Sequence, residues 1–162
     1  MRTLTFAVSI SLALGGAGCM MPPQGAALVQ QTAQQFNFDT RFGRMELAVE
    51  QLAPKYEGEF AKRHRFWGSA VHVTDAEMTG MKMKGPQDAE VGVRIGWYRI
   101  EEGDLRMTML KQHWHLYPRG WLLDSEERTD GDIGALGENV KIVAPEGPVR
   151  SAQFPTVRLG TD

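Results

Sequence analysis

The chain lacks most of the features that identify a function directly. Its 162 residues include one cysteine, Cys19, which excludes an intramolecular disulfide and argues against a cysteine-based metal site. A net charge of −2 provides no dense basic surface, so we expect no nucleic-acid partner. The motifs of P-loop, dinucleotide-binding and serine-hydrolase proteins are missing, so we predict no cofactor and no catalytic residue.

The first residues have the pattern of a secretory signal. Arg2 supplies a positive start, residues 4–14 are uncharged and mostly apolar, and the small residues GGAG follow at 15–18. This order is typical of a signal peptide, whereas a permanent membrane span needs about 20 apolar residues. We therefore predict that residues 1–18 are a signal peptide.

The run Ala17-Gly18-Cys19 resembles the end of a bacterial lipobox, although Gly16 stands where Leu is common. The resemblance implies a diacylglyceryl group on the Cys19 sulfur and cleavage just before Cys19. It implies attachment to a membrane of the cell envelope, and Met20 rather than Asp after the cysteine implies the outer membrane. Ordinary cleavage, giving a soluble periplasmic or secreted protein, and a buried free thiol remain as alternatives.

Helical spacing dominates the region after a tether at 19–26. Val29, Ala33 and Phe36 lie at i, i+4, i+7, and a second apolar pattern runs from Met45 to Leu52. Pro54 can open a further helix at its first turn. We predict three short helices between residues 27 and 66, with the basic run at 62–65 as a solvated helix end.

After Gly68 the apolar period changes to two, which predicts β-strands. The expected strands begin at Val71, span 90–100, span 105–117 and begin again at Trp121, with glycine-containing turns that favour antiparallel pairing. Helices followed by a strand meander predict an α+β domain over 27–127. The remaining residues, 128–162, contain repeated Gly and Pro, and we predict a tail with little core.

This order of elements, with the stretch from Gln112 to Trp121, resembles the NTF2-like, or SnoaL-like, family. The resemblance implies three helices packed on a curved antiparallel sheet that encloses a cone-shaped pocket. It also resembles short lipoproteins that carry such a domain without known chemistry.

Four residues are candidates for lining such a pocket. Gln112 is polar on the apolar side of its strand, and a buried amide must find hydrogen-bond partners, so it either holds a ligand or is satisfied within the core. Trp97 and Trp114 are either core residues or a ligand platform. Asp75 shares the strand parity of Val71, which makes it the acid or base to test first.

The HWH sequence suggests a second kind of site. His113 and His115 lie on one side of a strand and could bind Zn²⁺ with His72 or Glu77 as a distant third ligand. However, Lys111 shares that side and would repel a metal ion. We therefore predict no metal, and interpret this side as a solvated outer surface.

Two functions from different classes follow. The first is a membrane-anchored, non-catalytic envelope lipoprotein that binds an envelope protein partner or a small apolar ligand. The alternative is an enzyme of isomerase or hydratase type that uses the cone as its active site. The missing catalytic motifs favour the first.

Overall fold

The computed structural model describes residues 25–140, so Cys19, the predicted signal peptide and residues 141–162 lie outside the described part. The elements, in chain order, are α1 (Ala26–Arg41), α2 (Met45–Val49), α3 (Glu57–Arg63), β1 (Val71–Met83), β2 (Asp88–Arg99), β3 (Arg106–Tyr117) and β4 (Gly120–Gly131). This order confirms the predicted α+β class with three helices before an antiparallel sheet.

Apolar spacing accounts for the helices. In α1 the predicted residues Val29, Ala33 and Phe36 are all at most 1% exposed. The second helix is shorter than its pattern predicts, because the chain leaves the helix after Val49 and Leu52 forms a bridge with β4 instead. In α3, acidic residues occupy the first turn and basic residues the last turn, which complements the helix dipole.

The four strands form one sheet in the order β1-β2-β3-β4, and each neighbouring pair is antiparallel. One face of the sheet packs against the helices. The large side chains buried between the two layers include Phe36, Leu52, Tyr56, Phe60, Ile95, Trp97, Leu110, Trp114 and Leu123.

Each edge strand contains two β-bulges, whereas the register between the two central strands is regular. The extra residues are Thr74 and Thr79 in β1, and Asp124 and Thr129 in β4. A bulge bends its strand and shifts the inward alternation by one residue. Both edges of the sheet are therefore bent. Residues between the two bulges of an edge strand point to the side opposite to the one simple alternation predicts, and the second bulge restores that alternation.

The folded domain extends beyond the predicted boundary at residue 127. β4 continues to Gly131, and the following segment returns to the core, where Ala135 and Leu136 are buried. The indole N–H of Trp67 donates to the Ala135 carbonyl over 2.6 Å. The prediction of a tail from 128 is therefore wrong for 128–140, because glycines taken as breaks instead turn the chain back.

Candidate functional site

Gln112 lies on the inward side of β3 and is 0% exposed. It exchanges two hydrogen bonds with Asn37 of α1: Asn37 Nδ2 donates to Gln112 Oε1 over 3.1 Å, and Gln112 Nε2 donates to Asn37 Oδ1 over 2.9 Å. The second amide hydrogen goes to Glu126 Oε2 over 2.8 Å. Gln112 thus joins the helical layer to the sheet, and its amide is satisfied within the core.

Glu126 reaches this interior because of the bulge at Asp124. Trp121 and Leu123 point inward, and the extra residue makes Glu126, rather than Ser125, the next inward position. Its other carboxylate oxygen, Oε1, lies 3.0 Å from His64 Nε2. Simple alternation from Trp121 places Glu126 on the outer surface, so the sequence pattern gives no sign of its burial.

His64 is also buried, contrary to the prediction that the basic run at 62–65 is solvated throughout. Its ring stacks on Phe60 with centroids 3.9 Å apart and meets Trp67 edge-on at 4.5 Å. The sequence did hold a signal for this burial. Tyr56, Phe60 and His64 are spaced four residues apart, which places all three on the same face of a helix.

Four residues therefore form what we call the buried polar chain: Asn37, Gln112, Glu126 and His64. Beyond its contact with Glu126, His64 directs Nδ1 at the Phe60 carbonyl, 3.0 Å away. A carboxylate that orients an imidazole is the arrangement of a general base. Here, however, both ring nitrogens face protein oxygen atoms, so neither is directed at a position that a substrate could occupy.

The two tryptophans serve the core. Trp97 is 0% exposed, and its indole N–H donates to Thr108 Oγ1 over 2.8 Å. Trp114 is 1% exposed and packs edge-on against Phe36, with centroids 5.6 Å apart. Trp114 lies beside Gln112, whereas Trp97 joins a different set of hydrogen bonds, so the structure brings together only part of the predicted pocket lining.

Asp75 lies away from the interior. The bulge at Thr74 removes it from the inward series of Val71, and the next inward residue is Ala76. The Asp75 carboxylate is 60% exposed and pairs with Arg41 over 3.3 Å. The interpretation of Asp75 as a pocket acid or base is therefore wrong, because the alternation on which it rested does not continue through the bulge.

The two histidines of HWH lie on the outer side of the sheet with Lys111. His115 Nδ1 contacts Asp88 over 2.7 Å, and His113 lies between the carboxylates of Glu90 and Glu127, at 3.8 and 3.7 Å. Within residues 25–140 no group of three His, Cys, Asp or Glu side chains is arranged to hold a metal ion.

His72 and Glu77, the distant candidates for a third zinc ligand, also contact other residues. His72 stacks on Tyr98, with ring centroids 5.5 Å apart. Glu77 forms an ion pair with Arg94 on the neighbouring strand. The distant ligands considered for a zinc site are therefore not directed toward His113 and His115.

Open hollows lie at the margins of the core. Two adjoining cavities of about 370 and 400 Å³ lie between α1 and β1 and share Gln34 and Met78 as lining residues. A third, of about 270 Å³, is lined by residues of α2 and α3 that include His64 and Trp67. None of these cavities is lined by Gln112, so the predicted ligand amide does not contribute to them.

Apolar residues are exposed on α1 and just after it. Phe38 and Phe42 are 46% and 56% exposed, and their rings lie 4.7 Å apart. Two guanidinium groups cover the rings: Arg41 lies 5.3 Å from the Phe42 centroid, and Arg44 lies 5.4 Å from the Phe38 centroid. Large exposed apolar side chains in a cluster mark contact surfaces more often than single ones do.

No helix within residues 25–140 is long and apolar enough to span a membrane. No protein-family profile matches the chain, and no curated protein matches it. Solved structures do resemble it.

A candidate Ca/calmodulin-dependent kinase II association domain from Exiguobacterium sibiricum is 12% identical, with a TM-score of 0.52, covering 68% of this chain and 95% of that one. A SEC-C motif containing protein from Rhodopseudomonas palustris is 16% identical, with a TM-score of 0.49, over 67% and 83% of the two chains. A cystatin-like protein of unknown function from Nostoc punctiforme is 10% identical, with a TM-score of 0.44, over 70% and 96%. At 12% identity, the similarity to the Exiguobacterium sibiricum domain supports the α+β fold alone.

Proposed function

We propose that this protein is a lipid-anchored component of the bacterial cell envelope whose domain has a binding or scaffolding role without catalysis. The Ala17-Gly18-Cys19 run supports the anchor, with the lipid on Cys19. The described domain begins at Gly25, only six positions later, so anchoring would hold it close to the membrane. Met20 favours the outer membrane, on the side that faces the periplasm.

The observation that carries the non-catalytic role is the completeness of the buried polar chain. Its four side chains bond to each other and to backbone carbonyls, in the order His64, Glu126, Gln112 and Asn37. A general acid or base must reach the substrate proton directly or through one water. Groups whose hydrogen-bonding capacity is taken up by protein partners stabilise the interior instead.

The anchor is tested by the intact mass of the mature protein, extracted from the membrane fraction of a bacterial host. We expect a chain that starts at Cys19 and carries acyl chains, and Cys19→Ser should move the protein to the soluble fraction. An unmodified mass in the soluble fraction would replace the anchor with ordinary secretion.

We also propose that the bent sheet is an NTF2-like cone whose interior is filled by side chains. The bulges in both edge strands and the buried Trp97 and Trp114 support this. A filled cone predicts that a dye for apolar cavities gains little fluorescence with the native protein. Truncating Trp114 to Ala should open a cavity and increase dye binding, and a strong signal with the unmodified protein would contradict the filled interior.

The alternative of an isomerase or hydratase is favoured by one observation, the His64–Glu126 pair at the margin of a cavity of about 270 Å³. Tyr56 lies near this pair, and burial raises its pKa, so its hydroxyl stays protonated. An apolar carbonyl compound that perturbs Trp67 fluorescence and is turned over would support the enzyme. Loss of turnover in Glu126→Gln at unchanged stability would assign the pair to catalysis.

A further inference from the structure

We propose that the outward side of α1 is a docking surface for an anionic lipid bilayer, so that the domain lies with this helix along the membrane. The surface, which we call the α1 surface, consists of Leu28, Phe38, Arg41, Phe42 and Arg44. It extends the proposed function by naming how the domain meets the membrane, but it does not require a lipid on Cys19.

Three exposed apolar side chains lie on the outward side of α1. At about 100° per residue, Leu28, Phe38 and Phe42 fall within an arc of about 80° on the helix. The residues that pack into the core lie on the other side, centred on Ala33. The three outward residues are 41%, 46% and 56% exposed and extend over about 21 Å of helix axis. The exposed Gln31 and Gln35 lie between Leu28 and Phe38 on this side, so its apolar area consists of Leu28 at the start of α1 and the Phe38–Phe42 pair at its end.

The charges on this side of the domain also suit an anionic bilayer. The charged residues of α1 are Asp39 and Arg41, and Asp39 is 1% exposed, with Gln35 donating to its carboxylate over 2.9 Å. The residues of α1 itself therefore contribute no exposed carboxylate. Arg41 and Arg44 add two guanidinium groups beside the phenylalanine rings. Arg41 pairs with the exposed Asp75 of β1 over 3.3 Å, and Arg44 lies 3.9 Å from the buried Asp39 carboxylate. Arginine with aromatic residues suits an interface of phosphate headgroups and acyl chains.

The start of α1 is also close in sequence to the proposed lipid attachment site. Cys19 precedes Gly25 by six positions, which span at most about 20 Å when fully extended. A chain anchored at Cys19 would keep the start of α1 within that distance of the bilayer. Tethering raises the effective concentration of a nearby surface, so weak docking by the α1 surface would suffice.

Native fluorescence provides a clean test, because all four tryptophans are at most 8% exposed. A Phe42→Trp substitution adds one exposed indole that iodide can quench. The full mature chain from residue 19 carries Cys19→Ser, so that no lipid contributes to binding. It is mixed with vesicles of 30% phosphatidylglycerol in phosphatidylcholine, or of phosphatidylcholine alone.

We expect the anionic vesicles to protect the indole at position 42 from iodide, and the neutral vesicles and high salt to abolish most of that protection. Arg41→Gln combined with Arg44→Gln should weaken vesicle binding at least tenfold. The matched control is Lys111→Trp on the opposite side of the sheet, which should stay quenchable in both vesicles. Unfolding curves confirm that each variant folds, and Phe38→Trp replaces Phe42→Trp if that variant does not.

Equal quenching of the position-42 indole with and without anionic vesicles would overturn the proposal. Equal protection of the indoles at positions 42 and 111 would also overturn it. Protection in buffer alone that rises with protein concentration would assign the α1 surface to a second copy, and would also overturn it. The anchor is tested separately by mass. If the natural protein has an unmodified mass but the Cys19→Ser chain docks to vesicles, only the anchor is disproved. If the natural protein is acylated but the Cys19→Ser chain does not dock, only docking is disproved.

Discussion

The buried polar chain depends on single atoms at Gln112. Its carbonyl oxygen and both amide hydrogens are used in hydrogen bonds to Asn37 and Glu126. Replacing it with Met keeps the approximate volume but leaves those two partners with buried groups that lack a hydrogen bond. Such unsatisfied groups cost about 1–3 kcal/mol each.

We therefore expect Gln112→Met to lower the free energy of unfolding by about 2–4 kcal/mol in urea titration. The matched control is Lys111→Met, one residue earlier on the outer side, which should change stability by no more than about 0.5 kcal/mol. Equal effects of the two substitutions would show that the amide network adds nothing to stability.

Glu126 leads to a different prediction. One carboxylate oxygen accepts a hydrogen bond from Gln112, and the other lies beside an imidazole nitrogen that can either donate or accept. In Glu126→Gln the new amide can accept from Gln112 and donate to His64 Nε2 when the ring proton is on Nδ1, so all hydrogen bonds can persist. Glu126→Leu leaves Gln112 and His64 with buried groups that lack a hydrogen bond, which cost about 1–3 kcal/mol each. Thermal unfolding should therefore show a near-native midpoint for the Gln variant and a much lower one for the Leu variant. A Gln variant as unstable as the Leu variant would contradict this.

The sequence alone predicted the inward position of only some members of the buried polar chain. The inward position of Gln112 followed from strand alternation, which is regular in β3. Its partner Asn37 is 75 positions away in α1, and no local pattern links the two. Asp75 was placed on the wrong side and Glu126 was not identified for one reason, since each lies just after a bulge that reverses the alternation.

At the scale of elements, the bulges of β1 correspond to glycines in β2. The chain contains Gly92 and Gly96 in the neighbouring strand, and a side chain at Gly92 would come within 2.7 Å of Thr79 Oγ1. At Gly96 the nearest atom would be Thr74 Oγ1, at 3.1 Å. Glycine inside a strand pattern is a known sign of a bulge or close approach. These two positions were the available signal for the irregular edge.

The close approach of Thr79 to Gly92 can be tested by a double-mutant cycle. Gly92→Ala should lower the free energy of unfolding by about 1–2 kcal/mol, because the added methyl group forces Thr79 to move. In a Thr79→Ala background the same change should cost much less. Gly80→Ala is the matched control, since nothing lies within 4 Å of the new methyl group there. Additive effects in denaturant titrations would exclude the contact.

The segment after β4 is fixed by Glu138. Its carboxylate accepts the backbone N–H groups of Gly134 and Leu136, at 3.0 and 2.9 Å. Burial acts to raise the pKa of Glu138, but these N–H groups and Arg128 outweigh it, so the pKa lies below its ordinary value of 4.5. The folded state thus favours the ionised form. Its contribution is complete above the ordinary pKa and is lost as pH falls through the lower folded value.

We therefore expect the segment to loosen in acid before the sheet unfolds. Amide resonances of Gly134 and Leu136 should shift in an NMR titration below pH 4.5, together with the Trp67 indole that bonds to Ala135. Glu138→Gln should weaken the segment at neutral pH and remove this titration. Glu101→Gln, on the exposed β2–β3 turn, should leave it unchanged.

At the scale of the whole molecule, the class and element order could be predicted because each depends on local periodicity. The end of the domain could not, because glycine composition does not distinguish a turn that returns to the core from a tail. Gly131 has φ of 82°, a turn conformation that glycine adopts easily, and the chain after it buries Ala135.

This difference has a measurable consequence for truncated chains. Residues 25–140 should retain the cooperative unfolding of the full domain. Residues 25–127 lose the end of β4 and the cover over Trp67, and we expect exposure of that indole to solvent and a loss of several kcal/mol. Identical urea midpoints for the two chains would show that 128–140 contributes nothing to stability.

The irregular edges also bear on how copies of this protein would behave when crowded. An anchored protein diffuses in two dimensions, where neighbours collide often and in similar orientations. A long, regular edge strand would then offer a template for chain-to-chain pairing and irreversible clumping. Two interruptions in β1, five residues apart at Thr74 and Thr79, leave no long regular stretch for a neighbour to match. If the protein is anchored as proposed, the same distortions that shape the interior would therefore limit pairing between the edge strands of neighbouring copies.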